Sequence, residues 1–153
     1  MVLLREEILK DVISEVFETM FFMDVAFEEC QGAGRAFEYE SETRLENNEG
    51  CLVVAMRIGE KFARMISANF MGIDEARTKD VDEDELVDCL RELSNMVAGG
   101  CHAHAGDSDW KLGIPRAWTT ASGHGDATGE VFHLCFTFSG EPAGSAALRY
   151  LPG

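Results

Sequence analysis

Glu92, Asn95 and Gly99 follow one another at intervals of three and four residues in the segment LRELSNMVAGG, Leu90 to Gly100. A carboxylate, a carboxamide and a missing side chain at that spacing allow a restricted chemistry. An amide donates and accepts hydrogen bonds but has no useful basicity, so Asn95 can orient a water molecule and cannot deprotonate one. Glu92, ionised, can take a charge-assisted bond from a cationic group on a partner. Gly99 removes a side chain where another surface would approach closely. In a helix interior asparagine loses roughly half a kcal/mol and glycine about one relative to alanine, so the reason for them must lie in where they point.

At about 100° per residue, Leu86, Leu90, Leu93, Val97 and Cys101 fall within one arc, which is the core face of a third helix. Glu92, Asn95 and Gly99 lie within about 60° of each other, away from that arc and flanked by Glu85 and Asp88. They form an outward polar stripe. The acidic run DVDEDE (Asp80 to Glu85) leads into this helix, with Asp82 or Asp84 placed to cap it. Earlier, residues about 3 to 23 are periodic, with Leu9, Val12, Ile13, Val16 and Met20 on one face. Residues about 35 to 45 alternate (Ala36, Phe37, Glu38, Tyr39, Glu40), and after the turn signal NNEG comes CLVVAMRI, Cys51 to Ile58; the pair predicts an antiparallel hairpin. A second helix follows Gly59, with Phe62, Met65, Ile66 and Phe70 inward and Gly72 closing it.

The last third predicts strands. WKLGIPRAWTTA contains Gly113 and Pro115, which suggest a strand that lies at an edge or starts late; SGHGDATGE is a hairpin connection; VFHLCFTFSG sets Phe132, Leu134, Phe136 and Phe138 on a face that helices must cover. The expected fold class is α+β, helices packed on a mainly antiparallel sheet, in one domain spanning residues 1–153. Setting DVISEVFETMFF (Asp11 to Phe22) beside DCLRELSNMVAG (Asp88 to Gly99) aligns Glu15 with Glu92 and suggests a degenerate internal duplication.

Composition narrows the function. Net charge is −15, with thirteen Lys and Arg scattered along the chain, so there is no electrostatic footprint for nucleic acid or an anionic membrane. No apolar run approaches membrane length, and the N-terminus lacks an export signal. The five cysteines are odd in number and show no C-x-x-C spacing, which reads as reduced thiols in a cytosolic protein, not a disulfide framework.

ELSNMVAGG resembles the E-x-x-N-x-x-x-G signature of the CheC, CheX and FliY phosphatases of bacterial chemotaxis, and is most similar to CheX. EVFETM in the first helix, FMG closing the second, the acidic approach to the signature helix and the strands after the IP turn follow the CheX order and spacing. The resemblance implies a CheC-like fold and a phosphatase that accelerates hydrolysis of the aspartyl phosphate of a CheY-like response regulator. It implies catalytic roles for Glu92 and Asn95, with Asp88 and Gly99 on the docking surface. Glu18 and Phe22 align with Asn95 and Gly99, so the first helix is expected to be silent. The chain would need no cofactor of its own, because Mg²⁺ is supplied by the regulator, and a homodimer through sheet edges is implied. A non-enzymatic domain of the same fold, binding a regulator or a flagellar switch component, is the alternative.

Other groups carry less. In CHAH, Cys101 to His104, a continuing helix sets His102 and His104 about 200° apart, too far round to share an ion, and Cys101 falls on the core face. His124 and His133 are isolated in the sequence, and no metal site is expected. SGHGDATGE lacks a G-K-[ST] ending, which excludes a P-loop. No serine has a G-x-S-x-G context. A small redox or metal-binding domain rests only on the Cys and His count.

Overall fold

The computed structural model describes residues 4–30, 37–105, 109–122 and 128–153. The first helix, α1 (Glu6–Phe21), carries Glu6 and Glu7 in its first turn, where the positive end of the helix dipole favours them. It ends at Phe22, whose left-handed backbone (φ 57°) is costly for an aromatic residue and leaves the ring 81% exposed. Short β1 (Ala26–Glu28) follows, then the hairpin of β2 (Tyr39–Glu46) and β3 (Gly50–Ile58). The Asn47 side chain fixes that turn by accepting bonds from the Glu49 and Gly50 N–H groups at 2.8 and 3.0 Å. Next comes α2 (Glu60–Met71), closed by Gly72 at φ 70°, the conformation its position in the sequence predicts.

The signature helix is α3 (Glu83–Ala105), twenty-three residues long. Of the two candidate caps, Asp82 does the work, its Oδ1 accepting the Glu85 N–H at 2.8 Å. Strands β4 (Lys111–Leu112), β5 (Arg116–Thr119), β6 (Glu130–Phe138) and β7 (Glu141–Pro152) complete the chain. All strand pairs are antiparallel, in the order β1-β6-β7-β3-β2-β4, with β5 also on β2. The WKLGIPRAWTTA segment is therefore at an edge, as Gly113 and Pro115 indicate.

The duplication is visible in this order. Each half supplies a helix, a short edge strand and a hairpin: α1, β1 and β2–β3, then α3, β4–β5 and β6–β7. Each edge strand pairs with the other half's hairpin, and β3 meets β7 at the centre. Helices cover one face of the sheet. Phe17 is the hub of the core there, its ring 5.4 to 5.8 Å from those of Phe21, Phe62 and Phe136. Leu134 and Phe136 are buried and Phe132 and Phe138 pack on the same cluster, as their alternation predicts.

Two inward assignments are corrected. Met20 and Phe70 are each 43% exposed. Phe17 and Phe21 hold the α1 positions facing the sheet, and the larger rings displace Met20 to the rim. Phe70 keeps a tilted ring contact with Phe21, at 5.7 Å between centroids. The opposite face of the sheet holds an ion-pair network that the sequence did not announce. Glu42 Oε2 lies 3.3 Å from Arg149 Nη2 and Glu40 Oε1 lies 3.3 Å from Arg57 Nε; Glu40, Glu42 and Arg149 are all buried.

Candidate functional site

The orientation of α3 is set beneath it. Leu86, Leu90, Leu93, Val97 and Cys101 are all buried, the arc their spacing defines, and Cys89, Ser94 and Ala98 join them. Ser94 and Thr43 share a buried hydroxyl–hydroxyl hydrogen bond of 2.8 Å between α3 and β2. Buried polar groups must find partners, so this bond fixes the rotation of the helix over the sheet. With Ser94 pointing in, Asn95 is carried to the rim.

Asn95 is half-buried and Glu92 exposed. Their i, i+3 spacing puts them side by side on the helix surface. Asp88 is exposed one turn earlier, where its Oδ1 lies 2.9 Å from Arg91 Nη1 in a solvent-facing pair of little energetic weight. Gly99 has open space above it: a Cβ built there meets nothing within 4 Å. The ridge of Asp88, Glu92, Asn95 and Gly99 is thus continuous, and bare at its far end.

Gly100, which the sequence reading passed over, has the opposite reason to be glycine. A Cβ there would lie 2.6 Å from Val12 Cγ1, so its absence lets α1 and α3 approach closely. The available signal was Val12 on the core face of α1, but which residue of α3 it meets is decided by packing alone.

The thiols of α3 are inert. Burial pushes the Cys89 thiol up; the nearby Glu92 carboxylate adds to the shift, and the neighbouring Ser67 hydroxyl opposes it. Burial alone pushes Cys101 up to about 12. Neither supplies a thiolate at neutral pH, so the amide and carboxylate of the ridge are the groups available to a docked partner.

The cysteine reading needs correction elsewhere. Cys30, just past β1, and Cys135 on β6 form a disulfide with Cα atoms 5.1 Å apart. The β1–β6 register, Glu28 opposite Cys135, brings them together across 105 residues of sequence. His133 is not isolated: one of its ring nitrogens and the two sulfurs lie within 4.8 Å of one another. His102 donates a 2.7 Å bond from its Nε2–H to the Trp110 carbonyl, and His104 is exposed. His124 and most of the SGHGDATGE loop lie outside the described residues. No helix among the described residues is long and apolar enough to cross a membrane.

The family model "Chemotaxis phosphatase CheX" matches residues 46–139. No curated protein matches in sequence. Among solved structures, the chemotaxis protein CheX of Vibrio vulnificus superposes with a TM-score of 0.73 at 17% identity, covering 98% of this chain and 99% of that one. A CheC-like chemotactic protein of Shewanella oneidensis gives 0.72 at 14% identity, covering 95% and 96%. CheX in a CheX–CheY–BeF3–Mg complex from Borrelia burgdorferi gives 0.66 at 14% identity, with the same coverage of 95% and 96%.

Proposed function

The chain belongs to the CheX family of chemotaxis phosphatases, and from that premise we propose that it accelerates hydrolysis of the aspartyl phosphate on a CheY-like response regulator. The observation that carries the reading is the rim position of Asn95, beside exposed Glu92 and one turn before Gly99 with open space above it. The complex of a structural relative with CheY supports a receiver-type partner.

In this reading the amide of Asn95 holds a water in line with the phosphorus: its oxygen accepts a hydrogen bond from the water and its N–H₂ group donates toward the water or phosphoryl oxygens. A glutamine does the same in some GTPases. Glu92 accepts a charge-assisted bond from a lysine on the regulator and so sets the register of docking. Asp88 borders the contact, and Gly99 lets the regulator's loop approach the helix. Mg²⁺ held by the regulator's own carboxylates neutralises the phosphoryl group, and this chain contributes positioning only.

The reading includes a homodimer formed through sheet edges. Strand β1 pairs with Cys135–Thr137 of β6 and its continuation carries Cys30 opposite His133, which leaves the Glu130–Phe132 end of that edge for pairing with a second copy.

The experiment that tests the function is turnover. A regulator phosphorylated with a small-molecule phosphodonor should lose phosphate faster when this protein is present at about one-twentieth of its concentration. Many phosphates released per chain would establish an enzyme; acceleration confined to stoichiometric mixtures, or none, would leave a binding domain of the same fold.

A further inference from the structure

Neither the docking ridge nor the regulator's chemistry uses Cys30, His133 and Cys135, which gather at the opposite sheet edge. We propose that in the reduced chain these three residues are a zinc site. His133 and Cys135 alternate by two on β6, so both project from the face away from the helices. Extending the β1–β6 register by two residues sets Cys30 opposite His133, and the Cys30 Sγ lies 4.0 Å from the His133 carbonyl oxygen. The ligand atoms of all three lie within 4.8 Å of one another. In a tetrahedral shell, with Zn–S near 2.3 Å and Zn–N near 2.0 Å, ligand atoms lie roughly 3.5–3.8 Å apart, so side-chain adjustments of about 1 Å complete the shell once the S–S bond is broken.

A further observation points to a metal ligand. Glu130 Oε1 lies 3.9 Å from His133 Nδ1, a short side-chain movement from the hydrogen bond by which a carboxylate orients an imidazole to coordinate through its other nitrogen. Two thiolates and one imidazole bind borderline-soft Zn²⁺ and leave a fourth position to water, because His133 is exposed and the two cysteines half-buried. Access also lets a thiol reductant reach the disulfide. Two monothiols give up two electrons and two protons to it and leave as their own disulfide; the two thiols formed then bind Zn²⁺ as thiolates and release two protons. Oxidised, the pair staples β1 to β6 by a covalent bond; reduced, the ion holds the same strands.

Cobalt(II) in place of zinc reports the ligand set directly. Chain reduced with a phosphine and freed of it under argon should bind one Co²⁺, with tetrahedral d–d absorption and a thiolate charge-transfer band, both bleached by one equivalent of Zn²⁺. The charge-transfer band should be lost in Cys30→Ser and in Cys135→Ser and retained in Cys51→Ser. Glu130→Gln should weaken Co²⁺ binding by about 10-fold. Chain oxidised with diamide should bind none. A folded, fully reduced chain without the charge-transfer band, or a band that survives Cys135→Ser, would overturn the site and leave a structural disulfide only. Should either serine variant fail to fold, protection from alkylation decides: Zn²⁺ must shield Cys30 and Cys135 in the wild-type chain, and shielding of other cysteines, or of none, overturns the proposal.

Discussion

A single amide defines the proposed chemistry, and its neighbour Ser94 defines where that amide points. Ser94 and Thr43 are both fully buried and joined by one 2.8 Å bond. Ser94→Ala should therefore destabilise the fold by about 1–3 kcal/mol, because Thr43 loses its partner without gaining water, whereas the pair Ser94→Ala with Thr43→Val should recover most of that loss. Chemical denaturation of the three variants checks this; equal losses in single and double variants would remove Ser94 from the account of the site. Glu92 acts differently. It is exposed, so Glu92→Ala should leave stability within about 0.5 kcal/mol of wild type while weakening binding of the regulator, measured by titration calorimetry, by about 10-fold or more.

At the scale of elements, α3 carries two adjacent glycines whose reasons differ. Alanine gains about 1 kcal/mol over glycine in a helix. Gly99→Ala meets nothing, so it should raise the melting temperature while impairing regulator docking. Gly100→Ala meets Val12 Cγ1 at 2.6 Å, and overpacking of about 1–3 kcal/mol should lower the melting temperature. In a Val12→Ala background the same change should become neutral or stabilising. The core face of α3 also titrates. The Cys101 thiol is pushed from 9.0 up to about 12, so above pH 9 the unfolded chain gives up a proton that the folded chain keeps. Its contribution to stability is complete below pH 9 and declines as pH rises toward about 12. Cys101→Ala should flatten that alkaline decline in urea melts, at the expense of a small cavity.

Sequence made much of this level legible. The arc Leu86, Leu90, Leu93, Val97 and Cys101, the β2–β3 hairpin, the Gly72 stop and the edge position of WKLGIPRAWTTA follow from local rules of periodicity and backbone chemistry. The stripe of Glu92, Asn95 and Gly99 was readable for the same reason, since residues one turn apart share a face wherever the helix packs. Met20 was misplaced because α1 offers two adjacent apolar arcs, and only contact with Phe62 and Phe136 selects Phe17. Cys30 and Cys135 lie 105 residues apart, and strand register alone joins them. The ion pair of Glu42 with Arg149 is hidden for the same cause, because charged residues on alternating strand positions read as a solvated face.

For the whole molecule, charge is the main constraint on docking. A net charge of −15 opposes approach to the acidic phosphorylation site of a receiver domain, so in the proposed docking mode association rests on short-range contacts and on the cation proposed to meet Glu92. Affinity should hold steady or improve as salt rises from about 50 to 300 mM, since screening weakens the general repulsion first; a steep loss of affinity would contradict docking through this ridge. The mass in light scattering should be twice the 16.9 kDa of one chain if the β6 edge pairs as proposed. The central claim, that the carboxamide of Asn95 positions the attacking water, is tested most directly by following phosphate loss from a labelled regulator with wild-type protein and with Asn95→Ala. The variant should bind the phosphorylated regulator with wild-type affinity and hydrolyse it about 100-fold more slowly. An unchanged rate at equal saturation would contradict the claim.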